Sequence, residues 1–556
     1  MAGGLLNIVS QGNNNIILTG NPSKTFFKAV YSKYTNFGLQ KFRIDFDGAR
    51  DLRLTEPSTF TFKIPRYADL LMDTYLVMTL PDIWSPIYNP CPNTNNFWSS
   101  YDFRWIRNLG CQMISEINIT CGSLTIQKYS GDYLAAMVNR DFSATKQNLF
   151  DRMTGNVADL NDPENAYGRV NSYPSALYAT DSTGTSVNPA GAEPSIRGRN
   201  LYIPINTWFT LDSRCAFPLI SLQYNELVIS VTLRPVQELF QVRDVFDTSN
   251  NHPYIQPDFN QSQYQFYRFL QTPPGYDIDG SDKYENKLTT WNADIHLLST
   301  YCFLSPEETK LFAAEDQVYL VKDVFRYNFD NINGTTKVKL FSNGMIANWM
   351  FYLQRNDVNM RNEWNNYTNW PYESLPGNIV PAPYSINFIK NNNVGPQTNK
   401  NLSNTGYFIT GNFNTDNRKD ILETMGILMN GDYRENVLTR GVYDYIEKYT
   451  RTAGSARDGL YCYNYCLNTN PLDYQPSGAI NLSKFKTIEL EISTYVPPID
   501  PEASLFGIIC NATGDPIAIN KQNWRLYQYN FNMVLFEERY NILSFIGGNC
   551  GMLYAR

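Results

Sequence analysis

Strict alternation of apolar and polar residues recurs in short runs scattered from one end of the chain to the other. In Lys41 to Asp47, Phe42, Ile44 and Phe46 share one parity, while Lys41, Arg43, Asp45 and Asp47 share the other. The same period of two returns at Phe60, Phe62 and Ile64, at Ile117, Ile119 and Cys121, and at Leu227, Ile229, Val231 and Leu233. It appears again at Ile488, Leu490 and Ile492, set against Glu489, Glu491 and Ser493. Residues two apart fall on one face of a strand, so each run predicts a strand with a single buried face. Tyr75 to Leu80 is apolar almost throughout and closed by Pro81, which predicts a strand covered on both sides. The stretches between are rich in Asn, Pro, Ser and Gly, the residues of turns. An all-β chain with long loops follows.

At 556 residues the chain is too long for one sandwich and suits two, since all-β domains reach roughly 200–250 residues. A polar connection from Asp244 to Asp282 marks the candidate boundary. The division predicted is an arm and base segment over 1–40, a first block over 41–243, a linker over 244–286, a second block over 287–540 and a C-terminal segment over 541–556. Asp132 to Asn139 reads as a short helix, and Ser305-Pro-Glu-Glu308 as a helix start with Ser as cap and Pro in the first turn. Strands are predicted at 318–329, 337–341, 348–354 and 524–536. Long loops are predicted at 82–102, 143–200 and 356–406. No sequence repeat links the two blocks, although both combine short strands, one helix and long loops.

Composition excludes several function classes. The net charge is −7, without a run of five basic residues, so direct nucleic-acid contact lacks its positive stripe. Nine Cys residues without a framework spacing predict free thiols made in a reducing compartment. The opening Met1-Ala-Gly-Gly-Leu lacks the positive segment of a secretory signal, and no run of 18 apolar residues predicts a membrane helix.

Chemistry-bearing motifs are sparse. Only His252 and His296 occur, too few for a His-based triad or a His-ligated zinc site. Cys462-x-x-x-Cys466 has metal spacing but no second ligand pair, and reads as buried thiols. Glu489 and Glu491 could mimic a glycosidase pair, yet they alternate with Ile and Leu as a solvent face does. Gly547-Gly548 and Gly551 read as C-terminal turns. No catalytic residue, cofactor or metal is predicted. Among the Asn-x-Ser/Thr sequons, Asn366 and Asn401 lie in a predicted loop and are the candidate glycan sites. The candidate partner-binding residues lie in the arm: Leu5, Leu6, Asn21, Lys24, Phe27, Tyr31 and Tyr34. Phe27, Tyr31 and Tyr34 share a helical face, which docks on a protein or membrane partner or else plugs the open end of the first sandwich.

Four separated motifs carry a family resemblance. Met1-Ala-Gly-Gly-Leu, Leu18-Thr-Gly-Asn-Pro22, Thr25-Phe-Phe-Lys28 and Tyr34-Thr-Asn-Phe37 form the first. The second is Leu201-Tyr-Ile-Pro204 with Trp208-Phe209 and Pro218-Leu-Ile-Ser-Leu-Gln-Tyr224. The third is Gln475-Pro-Ser-Gly478 with Asn481-Leu-Ser483, and the fourth is Tyr540-Asn-Ile-Leu543 with Gly551-Met-Leu-Tyr554. In this order they resemble the major capsid proteins of the nucleocytoplasmic large DNA viruses, the giant and algal virus group. The loops 82–102, 143–200 and 356–406 depart from that family, as does the segment from Val437 to Asp458.

The resemblance implies two consecutive eight-stranded jelly rolls with short helical insertions. It implies a structural protein whose homotrimers form pseudo-hexagonal capsomers, tiling the icosahedral shell of a large double-stranded DNA virus. Partners would be neighbouring capsomers, minor capsid proteins and an inner membrane below the shell, with no direct nucleic acid. The place would be the virion capsid, assembled in the host cytoplasm. A jelly-roll carbohydrate-binding or host-attachment protein is the alternative, motivated by the Tyr- and Asn-rich loops.

Overall fold

The alternating runs pair into two matched sets of sheets. A computed structural model of the chain describes residues 35–46, 48–85, 102–169, 173, 174, 176, 193–244, 253–273, 284–288, 290–373, 419–473, 475–497, 499, 506–510, 515–521 and 526–554. The first set uses β1 (Phe37–Asp45), β2 (Ser58–Lys63), β3 (Leu70–Thr79), β4 (Ile114–Cys121), β5 (Leu124–Tyr129), β6 (Asn200–Pro204), β7 (Leu227–Leu233) and β8 (His296–Leu304). These pair antiparallel in the orders β1-β8-β3-β6 and β2-β7-β4-β5.

The second set uses β9 (Gln317–Ile332), β10 (Thr335–Lys339), β11 (Met345–Arg355), β12 (Leu422–Met429), β13 (Asp432–Thr439), β14 (Leu460–Asn464), β15 (Ile488–Thr494) and β16 (Phe531–Ile546). Its orders, β9-β16-β11-β14 and β10-β15-β12-β13, repeat the first set strand for strand. One Greek-key sandwich is thus built twice, giving a double jelly roll.

Each roll closes on the faces that alternation assigns. Phe60, Phe62, Ile117, Ile119, Ile229 and Val231 meet Ile44, Leu76, Ile203 and Leu297 in the first core. In the second, Trp349, Phe351, Met533 and Leu535 meet Met425, Ile427, Leu490 and Ile492. Two-residue turns hold the register where φ must be positive. Asn430 (φ 55°) and Gly431 (φ 92°) join β12 to β13, and Gly547 (φ 58°) and Gly548 (φ 82°) join β16 to β17 (Asn549–Met552).

Both rolls insert a helix after the strand that ends their second sheet. In the first it is α1 (Gly131–Asp141), which agrees with the sequence prediction. In the second, a π-turn at Val442–Ile446 runs into Glu447–Arg451, together α4. Between them come α2 (Ala144–Thr154) and α3 (Pro306–Ala314). The helix α3 starts as predicted, the Ser305 hydroxyl accepting from the Glu308 amide at 3.4 Å.

Five expectations need correction. Residues 143–200 contain α2, which buries only Phe150 and Thr154 and therefore leaves no apolar stripe to read. The connection expected over 244–286 is not a plain linker. Within it Tyr254–Ile255 pairs with Phe240–Arg243, and Tyr264, Phe266 and Phe269 join the first core. The strand β8, expected in the second block, pairs with β1 and β3 of the first roll, so the chain crosses between rolls at α3. Alternation alone cannot assign a strand to a sheet when its partner Phe37–Asp45 lies hundreds of residues away. The last long strand spans Phe531–Ile546, not 524–536, because its middle carries three charges, Glu537, Glu538 and Arg539. For the same reason the C-terminal stretch from 541 continues this strand and its hairpin.

Gly131 shows how tightly α1 is seated: a Cβ there would lie 1.8 Å from the Cys111 carbonyl oxygen. Gly131→Ala therefore forces backbone apart, and overpacking of this kind costs about 1–3 kcal/mol or more. A thermal scan should show a clear fall in melting temperature, and an unchanged midpoint would contradict this packing.

Candidate functional site at the junction of the two rolls

The outer face of the second roll's β9-β16-β11-β14 sheet is not left to solvent. Met350, Tyr352, Leu460, Cys462, Val534 and Phe536 on that face are buried in the same cluster as the first roll's core. What covers them is α1 together with β5, so α1 is buried on nearly all sides. Burying a large apolar side chain is worth about 1.5–3 kcal/mol, so this face is a principal contact between the rolls.

Charge is buried there too. The Arg140 guanidinium, fully inaccessible, donates to Glu538 Oε1 at 2.7 Å, to Asn348 Oδ1 at 2.8 Å and to Asp141 Oδ2 at 2.7 Å. Glu538 also accepts from the Tyr133 hydroxyl at 2.9 Å and from Asn348 Nδ2 at 2.9 Å. Lys322 Nζ stands 3.8 Å from Glu538 and donates to the Thr469 carbonyl at 3.3 Å. The Thr469 hydroxyl in turn donates to Asp141 at 2.5 Å. At the other end of α1, Asp132 accepts from the Tyr352 hydroxyl at 2.7 Å and pairs with Arg326 at 3.2 Å. The helix's last carbonyls find donors in the second roll: Gly454 N–H to Arg140 O and Ala456 N–H to Asn139 O, both 2.8 Å. A Cβ on Gly454 would meet those carbonyls at 2.5 Å.

A second buried seam joins the rolls through residues 357–373. Asp357 is clamped by Arg355 (2.6 Å) and Arg361 (2.9 Å). Burial would raise the Asp357 carboxyl, but the two guanidiniums hold it far below the usual carboxylate range. Beside it Asn362 donates to the Gln237 and Phe240 carbonyls at 2.8 Å, and the Trp364 indole donates to the Glu238 carbonyl at 3.0 Å. The long loop expected over 356–406 is thus, in its described part, an inter-roll strap.

The predicted site residues fall elsewhere. Leu5, Leu6, Asn21, Lys24, Phe27, Tyr31, Tyr34, Asn401 and His252 lie outside the described residues. Asn366 does not suit glycan attachment, because it is fully buried and its amide is engaged. Its nitrogen donates to the Trp370 carbonyl at 2.8 Å and its oxygen accepts from the Thr368 hydroxyl at 2.7 Å. Cys462 and Cys466 are buried free thiols, and burial pushes Cys462 up to about 12. Glu491 faces outward, accepting from Lys337 at 3.0 Å and the Tyr433 hydroxyl at 2.9 Å. His296 stands 2.7 Å through Nδ1 from the Asp294 carbonyl. Among the described residues, no group of three metal-ligating side chains comes together. The junction residues themselves went unpredicted; the signal was Glu537-Glu538-Arg539, three charges where a strand pattern should continue.

Residues 25–271 match the family model described as the major capsid protein N-terminus. The chain is 22% identical to the major capsid protein of Phaeocystis pouchetii virus over the full length of both. It is 30% identical to that of Chrysochromulina ericina virus over 49% of each. A chain solved in the PBCV-1 virus capsid superposes at a TM-score of 0.57 with 18% identity, covering 96% of this chain and 100% of that one. The Faustovirus major capsid protein superposes at 0.55 with 13% identity, covering 98% of each. These superpositions establish the double jelly-roll fold.

Burial would raise Glu538, but Arg140 and Lys322, with donors from Asn348, outweigh it and hold the carboxyl at about 2, against an ordinary 4.5. A depressed carboxylate contributes stability that is full above its ordinary value and lost as pH falls from 4.5 towards 2. Asp141 works the other way: burial raises it, so its contribution is present below 3.8 and lost as pH rises through its higher value. Glu538→Gln leaves Arg140 undercompensated and should cost about 3–5 kcal/mol at neutral pH. It should also flatten the acid-induced fall in melting temperature between pH 4.5 and 2, whereas an unaltered profile would contradict the assignment.

Proposed function

This chain belongs to the major capsid protein family of the nucleocytoplasmic large DNA viruses, and from that premise we propose that it works as a homotrimeric capsomer. The observation that carries this reading is the strand-for-strand duplication of one jelly roll within a chain that matches a capsid protein along its whole length. The protein is a structural component of the virion capsid. Three copies bring six similar rolls together, giving a pseudo-hexagonal block that tiles an icosahedral facet. Its role is mechanical and needs no catalytic step. Both buried junctions supply rigidity within each block: the charges there are paired and enclosed, and none is presented to a substrate.

The arm residues Leu5, Leu6, Asn21, Lys24, Phe27, Tyr31 and Tyr34 act as a foot towards minor capsid proteins and an inner membrane below the shell. Neighbouring capsomers are met at the block's edges, and assembly takes place in the host cytoplasm. A net charge of −7 favours protein contacts over contacts with the genome.

Light scattering on purified protein should give three chains per particle, and negative-stain images a hexagonal outline; a stable monomer at micromolar concentration would overturn the reading. Deleting residues 1–20 should leave that particle intact while weakening its capture of inner-layer components. Loss of the particle on deletion would instead make the arm part of the fold.

A further inference from the structure

The turn that follows β16 reaches across to the first roll. The Gly548 carbonyl accepts from the Gln223 and Tyr224 amides at 3.0 and 3.3 Å, and Asn225 Nδ2 donates to Asn549 Oδ1 at 3.3 Å. Asn549 precedes Cys550 on β17. On the other side, a Cβ on Gly122 would lie 2.7 Å from Asn225 Oδ1, and Gly122 follows Cys121, the last residue of β4. Asn225 thus stands against the chain neighbours of both cysteines. The thiols themselves meet. The Cys550 S–H donates to the Cys121 sulfur, which draws Cys121 below the ordinary thiol range and holds Cys550 above it. Cys121 is buried in the first core, and Cys550 packs on that core from the second roll's hairpin while staying partly accessible.

We propose that Cys121 and Cys550 close into a disulfide once the protein leaves the reducing cytosol, stapling the C-terminal hairpin to the first roll. The oxidant is a small-molecule disulfide such as oxidised glutathione. Cys550, the accessible sulfur, gives its proton to solvent and attacks one sulfur of that molecule, whose S–S bond breaks to release one small thiol. Cys121 then gives up its proton and attacks the Cys550 sulfur, releasing the second small thiol. Two protein thiols are oxidised to one disulfide, and the small disulfide is reduced to two thiols. Cytosolic thiols are kept reduced, whereas disulfides persist on virion surfaces, so the same pair is free during folding and cross-linked afterwards. A cross-link restricts the unfolded chain more as the loop it closes lengthens, and this one joins positions 121 and 550. It would reinforce a contact otherwise held by a few exposed hydrogen bonds. The timing rests on the cytoplasmic assembly proposed above; the pairing rests on the contact between the two sulfurs.

The test takes full-length protein purified in dithiothreitol, dialyses it against oxidised glutathione, alkylates it in denaturant and maps its peptides by mass. The Cys121 and Cys550 peptides should appear joined, two hydrogens lighter than their sum. Excess reduced glutathione, standing for the cytosol, should leave both free. Oxidation should raise the melting temperature by several degrees, and dithiothreitol should reverse the rise. Cys550→Ser should abolish both the joined peptide and the rise, whereas Cys215→Ser, at another partly accessible thiol, should keep them. Both thiols free after oxidation, Cys550 carrying only glutathione, or either sulfur joined to a different cysteine overturns the pairing. A joined peptide already formed in excess reduced glutathione overturns the timing, and one that leaves the melting temperature unchanged overturns the staple. The wild-type peptide map holds whether or not the variants fold, and none of these outcomes bears on the trimer.

Discussion

A fully buried guanidinium at the contact between the two rolls organises much of this molecule. Arg140 stands at the end of α1 in the first roll, and the groups that compensate it, Glu538 and Asn348, sit on the outer sheet face of the second. Taking such ions out of water costs several kcal/mol each, and the contact repays it only where every lone pair and donor is met. Here the condition holds at several points at once: Tyr133, Asn348 and Lys322 complete Glu538, and Thr469 completes Asp141. The apolar surface around the cluster supplies the attraction, and the buried charges fix the register. A helix shifted by one residue along the sheet would leave the same groups unpaired.

That constraint explains why two rolls of the same topology look so different. In the first roll, the edge strand and its helix are sealed; in the second, the equivalent elements carry bare aromatics. The first sheet leaves Phe37, Leu39 and Tyr202 exposed, while Leu70 and Cys302 are buried beside Phe312 of α3. Duplication of a fold creates two copies of every face, and joining the copies in tandem uses one face from each.

Much of the fold is legible in the sequence because half-buried strands write their faces in a period of two. The runs around Phe60, Leu227 and Ile488 are of this kind, and the Ser305 cap marks α3 directly. Three features escape for physical reasons. The pattern of β8 is the same whichever roll it joins, and only a long-range pairing with β1 decides. The helix α2 buries only Phe150 and Thr154, so its periodicity is lost among polar residues. The junction contradicts the rule by which burial is read at all: Arg140, Asp141, Glu537 and Glu538 are charged and inaccessible. Asn366 makes the same point, a sequon in an Asn-rich segment that is nonetheless buried because its amide fills a turn.

Hydrogen exchange on the intact protein tests most directly whether this junction makes the two rolls one body. If it does, the amides of α1 exchange in the same cooperative unit as β11 and β16, with protection close to that of the second core. If α1 and the first roll open at a much lower free energy while β11 and β16 stay protected, the rolls are independent modules. The buried ion cluster would then be only a local contact.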